Sequence, residues 1–474
     1  MVKPILYRII VFVTGWLFLL SVACAQHQEL NEAPNLWGKS FKTGDSSSLL
    51  HSFQAGSLHG NFRSFFSSNF NEGITPEYAQ AVGGGIQFRS KTFHHLNVGM
   101  SGYFVHKVFS SDLTRPNPIT NTYNRYELGL FDITNPAGSS QMNRLEELFV
   151  RYQKKQFNLT IGKQLMNTPF INLQDGRMRP TIVQGVSAEY TFGKWKLLGS
   201  WINGFSPRST FNWYSTGASI GLYSLGVNPD GTPSGYKNQL KSSGILLISA
   251  EIKNKKNRQW QIWNQLTYNI FNSTLFQFDQ LQDSSSPFYY GIQLITQLPV
   301  NQGGHIDINK RYFPTDQFSL AFGGRIGKIT GPWDNSINYT RITGHGRYLM
   351  PREWGRDPFF TFMMGERNEG LGDVHAISLK SKLSDAKNRF SWQNSAGYFD
   401  LPDVSHPALN KYGFPSYFQF NSDFRYTFSG IMRGWQAQLI YFYKYASGNT
   451  KHDPKYTINK VNMSHLNLIL NFHF

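Results

Sequence analysis

The sequence predicts an all-β protein, a transmembrane antiparallel β-barrel of 18 strands, and three observations carry that prediction. The chain repeats segments of about ten residues in which apolar and polar side chains alternate. Its first residues read as an export signal. Aromatic residues make up 16%, with 39 Phe, 24 Tyr and 11 Trp, yet no apolar stretch beyond the signal is long enough for a membrane helix. An exported, aromatic-rich chain without spanning helices has one other way to satisfy its backbone in lipid, a closed barrel.

The N-terminus comes first. Lys3 and Arg8 precede an apolar run from Ile9 to Val22, followed by Ala23-Cys24-Ala25. A charged start, a hydrophobic middle and a small-x-small end predict a signal peptide over 1–25, cut after Ala25. A membrane anchor would want a longer run, and lipidation of Cys24 would want Leu where Ser21 stands. Cys24 is the single cysteine, so the mature chain has no disulfide and no thiol metal site. The net charge of +17 falls by two when the signal leaves. Residues 26–56 then form a periplasmic N-terminal segment, and 57–474 form the barrel.

Period two fixes the strands. Phe418, Phe420, Phe424, Tyr426 and Phe428 share one parity; Gln419, Asn421, Asp423, Arg425 and Thr427 share the other. Trp260, Ile262, Leu266, Tyr268 and Ile270 alternate with Gln259, Gln261, Gln265, Thr267 and Asn269, and Leu96, Val98, Met100 and Phe104 with Asn97, Gly99, Ser101 and Tyr103. The same pattern places strands near 57–67, 79–90, 95–107, 144–154, 156–165, 181–192, 195–205, 241–253 and 258–270. It continues near 274–282, 287–298, 316–328, 333–344, 371–383, 389–399, 416–429, 434–447 and 459–474. Residues 358–366 are read as loop. Short polar turns at 154–156, 193–194, 254–257 and 384–388 alternate with long segments at 108–143, 206–240 and 345–370, as in a barrel threaded from the periplasm. An even strand number puts both termini on the periplasmic side. The last strand carries Leu466, Leu468, Leu470, Phe472 and Phe474 on one parity, with Ile469 the exception on the polar face. It closes the barrel against the first strand.

On these parities the lumen carries Arg63, Arg89, Arg151, Lys196, Arg325, Lys380, Lys382, Arg389, Arg425 and Lys444. Opposing them are Glu147, Glu189, Asp279 and Asp423. In a water-filled channel such charges stay solvated. Arginine meets a carboxylate with two hydrogen bonds, and a row of weak sites passes an anion along. For any one residue, pairing with a wall acid is the simpler role.

Other motifs carry less. Residues 217–221, GASIG, match G-x-S-x-G with Ser219 as nucleophile, but that chemistry needs a strand–turn–helix and the motif lies between barrel strands. The glycines of 82–86 lie inside a strand with no helix to follow, and 228–235 is turn chemistry. His94-His95 lacks further ligands. Basic residues are scattered, not clustered with stacking aromatics, which argues against nucleic acid.

Several segments resemble the OprD-type porins, particularly their Bacteroidetes relatives: LHGNFRSFF (58–66), NRYELGLFDI (124–133), RLEELFVRY (144–152), NTPFINLQDGRMRPTIVQG (167–185) and PREWGRDPFFTFMMGERNEGLGDVHA (351–376). The resemblance spans nearly the whole mature chain. It implies an 18-stranded outer-membrane channel, monomeric or loosely trimeric, that passes small carboxylate-bearing solutes and has no enzymatic activity. It implies an inward-folded constriction loop at about 166–180, with Asp175, Arg177 and Arg179 at the narrowest point. No cofactor or metal is implied. The expected partners are outer-membrane lipid, lipopolysaccharide, the solutes, and the outer-membrane assembly machinery, which would read Phe474. A barrel lipase or protease and a plugged adhesion barrel are the alternatives.

Overall fold

In the computed structural model, residues 36–37, 45–138, 141–174, 177–254, 257–282, 286–387 and 389–474 are described. The predicted signal (1–25) and Asp175 lie outside them. The strands are β1 (Ser57–Asn71), β2 (Glu77–Arg89), β3 (Leu96–Ser110), β4 (Gln141–Lys154), β5 (Phe157–Gln164), β6 (Ile182–Phe192), β7 (Trp195–Ser206), β8 (Tyr214–Ser215), β9 (Ile245–Lys253) and β10 (Arg258–Thr267). They continue with β11 (Phe271–Gln280), β12 (Phe288–Pro299), β13 (Ser319–Thr330), β14 (Trp333–Ile342), β15 (Val374–Ser384), β16 (Phe390–Asp400), β17 (Tyr417–Thr427), β18 (Trp435–Ala446) and β19 (Met463–His473). The sheet is 19-stranded. The two-residue β8 pairs only with Gly204–Phe205 of β7, while β9 pairs with both β7 and β10. The other 18 strands close into an antiparallel barrel.

Closure is the pairing of β19 with β1, in the register Arg63↔Asn471 and Phe62↔Phe472. The chain end extends it: Gly60 N–H donates to Phe474 O at 3.0 Å, and Phe474 N–H to Gly60 O at 3.1 Å. Leu468 and Phe474 stand on the outer face, 48% and 56% exposed, while His465, Asn467, Ile469 and Asn471 are buried on the inner face. Ile469 keeps its apolar side chain because it lies opposite Phe65 and belongs to an inner apolar cluster with Ile440, Leu128 and Leu130.

The outer face is mainly apolar, as lipid contact requires, with Leu58, Ile86, Met100, Ile262, Ile292 and Ile337 among its exposed residues. At the short-turn rim, Tyr190 stacks on Phe192 and Phe192 on Trp195, with ring centroids 5.7 and 6.5 Å apart, the aromatic girdle of a membrane boundary. The connections 155–156, 193–194 and 331–332 are tight turns at this rim. The opposite rim carries 111–140, 165–181, 207–244, 300–318, 343–373, 401–416 and 447–462, together with two short links, 72–76 and 268–270. The link at 268–270 corrects one sequence reading. Asn269 turns with φ 65°, β10 ends at Thr267, and Ile270 is fully buried with the loop core instead of facing lipid.

The larger correction concerns the long loops, which fold inward over the lumen. Met166 and Phe170 of 165–181, Ile220 and Tyr236 of 207–244, and Tyr348 and Trp354 of 343–373 share one apolar cluster with lumen-facing Leu275 and Ile295. Residues 358–366 are loop, as read, but this apolar run is buried in that cluster's surroundings. The physical reason is burial: Phe359, Phe360, Phe362 and Met363 gain more by packing inside than by facing water. Protease added outside intact cells should therefore cut the exposed stretches near 114–116 and 306–308 and spare 345–370. Mass spectrometry of the fragments checks this, and an early cut inside 345–370 contradicts the inward packing.

Candidate functional site

The lumen wall is built by strand parity, and the loops by a few charged clamps. On β4, Arg144 and Glu146 share the inward parity and pair at 2.7 Å. Glu146 also takes the guanidinium of Arg179, from loop 165–181: Arg179 Nε donates to both carboxylate oxygens at 2.9 Å, and a second nitrogen donates to Oε2. Arg144 in turn donates to Pro180 O at 2.9 Å. The triad pins the loop to the wall, almost out of reach of solvent. The ring of Tyr103 lies 4.5 Å from the Arg179 guanidinium, and that of Trp37, from the N-terminal segment, 4.7 Å. The glycines of β2 make room. A Cβ on Gly83 would come within 2.7 Å of the Tyr103 ring and 2.9 Å of Met178.

Arg177 takes a different course. It is half-buried beside Gly129 and donates to Arg125 O at 3.2 Å. Arg125 and Arg208 act on it directly, with Glu127, Tyr126 and Tyr223 also beside it, and the basic group continues from loop to loop: Arg208 to Arg352 and Arg367, and Lys444 of the wall to Arg125, Arg352 and Arg367. Arg208 donates to Gln174 and lies over Tyr223; Lys444 donates to Gly365 O at 2.6 Å. Burial lowers the pKa of Arg177, with Arg125 adding to it, and lowers that of Arg208, with Arg177 and Arg352 adding. Arg367 is pushed down to about 10 by burial and by the charges of Arg352 and Arg208. Such mutual repulsion is what an anion would relieve.

The acids nearby are largely committed. Glu353 accepts from Gly221 N and Tyr223 N, both at 3.0 Å. Glu369 pairs with Arg352 at 3.0 Å and with Lys411 at 3.5 Å. Two others lean toward the neutral form. Glu127 is pushed up to about 7 by burial, although it accepts from Ser67 at 2.8 Å and Asn124 at 2.7 Å. Glu366 is pushed up to about 8 by burial and by neighbouring Asp357, whose own pKa burial raises. Near neutral pH the loop core is therefore net positive. Arg347 braces it by donating to the carbonyls of Val227, Asn228 and Pro407, which joins three loops.

The Glu366 shift has a pH consequence. Its folded value lies above the ordinary 4.5, so the docked loop holds the proton more tightly than the undocked loop does. Docking is strongest below pH 4.5 and weakens as pH rises toward 8. Hydrogen exchange at Met363 to Gly365 should speed up between pH 5 and 8.5 beyond the intrinsic rise, and Glu366→Gln should flatten that trend. A trend unchanged in Glu366→Gln contradicts it.

The predicted wall cations are in the lumen with one exception, and they are less solvated than expected. Arg63 is buried over Phe65. Arg325 pairs with Asp279 at 2.8 Å and Arg425 with Asp423 at 3.0 Å. Arg89 lies 3.8 Å from Glu147, and Lys196 lies 3.5 Å from Glu189. Lys380 is buried, and Lys382 is half-buried. Arg389 is the exception: it precedes β16, sits exposed in the short turn, and reaches Asp385 and Ser429. Inward loops displace the water that a bare barrel would hold, so the other charges find partners. Arg151, held to Thr160 at 3.0 Å, lines a cavity of about 580 Å³ that Leu165–Pro169 also line. Lys196, Glu189, Glu251 and Trp263 also line it.

Arg125, Arg208, Arg352 and Arg367 were not singled out from the sequence, although Arg125, Arg352 and Arg367 fall in segments that carry the family resemblance. Their signal was basic residues inside loops too apolar to stay in water. Ser219 is fully buried, donating to Thr216 O at 2.8 Å and accepting from Trp354 Nε1 at 2.9 Å; it is a packing hydroxyl. Among the described residues no group of three or more His, Cys, Asp or Glu could hold a metal.

No protein-family model matches the sequence, and no curated protein matches it. Solved structures match the fold. Pseudomonas aeruginosa OccK9 (OpdG) superposes with a TM-score of 0.69 at 14% identity, over 89% of this chain and 99% of that one. OpdK from the same organism, solved with vanillate, gives 0.66 at 13%, over 89% and 99%. Acinetobacter baumannii OccAB1 gives 0.67 at 12%, over 91% and 99%. At such identities the likeness is one of fold, and it is the fold that the resemblance to OprD-type porins implied.

Proposed function

We propose that this chain is an outer-membrane diffusion channel for small hydrophilic solutes, with a preference for anionic, carboxylate-bearing ones. The observation that carries the preference is the basic group around Arg177, set among acids already paired or held neutral. Forked guanidinium donors suit a carboxylate, and Arg125, Arg177 and Arg367 are half-buried, which leaves them enough solvent to release it. The OpdK structure solved with vanillate, a carboxylate, supports the solute class by analogy of fold. Asp175 and Arg179 belong to the same narrowing in this reading, with Arg179 as the brace. Arg63, Arg151, Arg325, Arg425 and Lys380 set the field of the wall, and Arg389 that of the periplasmic mouth.

A liposome-swelling panel tests the reading. Mono- and dicarboxylates should enter faster than sugars of equal size. The inward apolar packing of the loops favours one rival, a plugged structural barrel, for which no solute would cause swelling. A barrel hydrolase would cleave esters or peptides, and Ser219 has neither the exposure nor the histidine for it.

The same proposal makes Phe474 the terminal residue read during assembly. Deleting it removes two backbone bonds at the seam, and the amount of heat-modifiable barrel in outer-membrane fractions should fall several-fold. Wild-type amounts contradict that role.

A further inference from the structure

We infer that the short-turn rim carries a membrane foot, which lies on the inner leaflet and prefers anionic phospholipid headgroups. This rests on the membrane-barrel reading above and adds a docking surface to it. A short helix, α1 (Leu49–Gln54), precedes β1, and Ser48 caps it by accepting from His51 N. Ser52 ties the helix to the turn after β2: its Oγ donates to Lys91 O at 2.6 Å, and Lys91 N–H donates to Ser52 O at 2.9 Å. The helix buries Ser52 and turns its apolar residues away from the protein. Leu49, Leu50 and Phe53 are 58%, 68% and 45% exposed.

Such a face in water would be costly, but its neighbours say what covers it. Phe53 stacks on Phe88 at 6.2 Å. Phe88 pairs in register with Leu58 and Met100, which are 62% and 54% exposed on the lipid side. The helix thus continues the apolar belt around its lower edge. Across the β1–β19 seam, the turn after β17 presents Ile431 and Met432, also exposed, followed by Arg433.

Charge complements this surface. The turn bearing Lys91 joins the next turn through Gln153 N–H to His95 O, at 2.8 Å, and that turn carries exposed Lys154 and Lys155. Further around the rim, Lys194, Lys253 and Lys387 are exposed. Lys328 stands over Phe288 with its ammonium 5.4 Å from the ring, as a side chain does when its stem follows the belt and its head reaches the interface. An apolar helix face flanked by lysines is the form of an interfacial anchor, and its basic residues select anionic headgroups.

The test uses the full barrel in nanodiscs, in a Cys24→Ser background, with nitroxide labels at Leu50→Cys, Ile292→Cys on the belt and Asp453→Cys on an outer loop. The Leu50 label should be several-fold more accessible to oxygen, relative to a water-soluble nickel chelate, than the Asp453 label. Native mass spectrometry should show phosphatidylglycerol retained several-fold over phosphatidylcholine, and Lys91→Gln/Lys154→Gln/Lys155→Gln should erase that ratio. A Leu50 label as water-accessible as Asp453, with Ile292 still in lipid, overturns the foot alone, and so does equal retention of the two lipids by the unmodified rim. A water-accessible Ile292 label overturns the membrane reading and the foot with it.

Discussion

Replacing Glu146 with alanine should open the channel to every solute alike. Glu146 is the one carboxylate in the buried triad, holding Arg144 at 2.7 Å and Arg179 through both of its oxygens. Its loss leaves two guanidinium groups buried side by side, and removing one partner of a buried pair costs about 3–5 kcal/mol. That is comparable to the whole docking energy of a short loop, so the loop moves and the barrel stays. The β1–β19 seam is a separate strand pair from β4, which carries Arg144 and Glu146. Single-channel conductance should rise with ion selectivity little changed, and the melting of the barrel should stay close to wild type. Arg179→Ala should act in the same direction but less, because Arg144 still neutralises Glu146. Unaltered conductance in Glu146→Ala would mean that loop 165–181 is held by its apolar contacts, Phe170 and Ile171 among them.

Arg177→Ala should do the opposite kind of damage: a selective loss of carboxylate flux with sugars unaffected. Arg177 donates to the backbone oxygen of Arg125, outside the Arg144–Glu146–Arg179 triad, so its removal leaves the loop clamp intact. A charge-assisted hydrogen bond contributes about 1.5–3 kcal/mol in a protein interior. In a wet pore about 1 kcal/mol is the expectation, a several-fold change. The two arginines of one motif thus separate into a brace and a binding group. The sequence treats them as a pair, because spacing alone does not tell which one meets the wall acid. If Arg177→Ala raises the flux of every solute equally, Arg177 is a second brace.

The wall was legible in the sequence and the interior was not. Strand parity follows from lipid on one side and the lumen on the other, so each of the 18 barrel strands falls where period two placed it, with ends shifted by a few residues. Ile469 broke the alternation for a reason visible only in three dimensions, the apolar cluster it shares with Leu128 and Leu130. The same holds for Glu146. Period two put Glu147 in the lumen and so turned Glu146 outward, but an irregularity opposite Ser101 and Gly102 brings both inward, and the partner of Glu146 is 33 residues away on a loop. Loops carry no periodicity to say where they go. The hint available was composition: Phe359, Phe360, Phe362 and Met363 are too apolar for an outer loop, and reading that run as excluded from water would have placed it inside. The solvation of the wall charges was misjudged for the same cause, since the lumen was taken as open.

The central claim is that a net-positive loop core selects anions. The measurement that tests it most directly is the reversal potential of the purified protein in a planar bilayer under a tenfold KCl gradient at neutral pH. The predicted result is a potential of the sign set by chloride, shrinking in Arg177→Ala. A conducting channel whose potential has the sign set by potassium would contradict the claim.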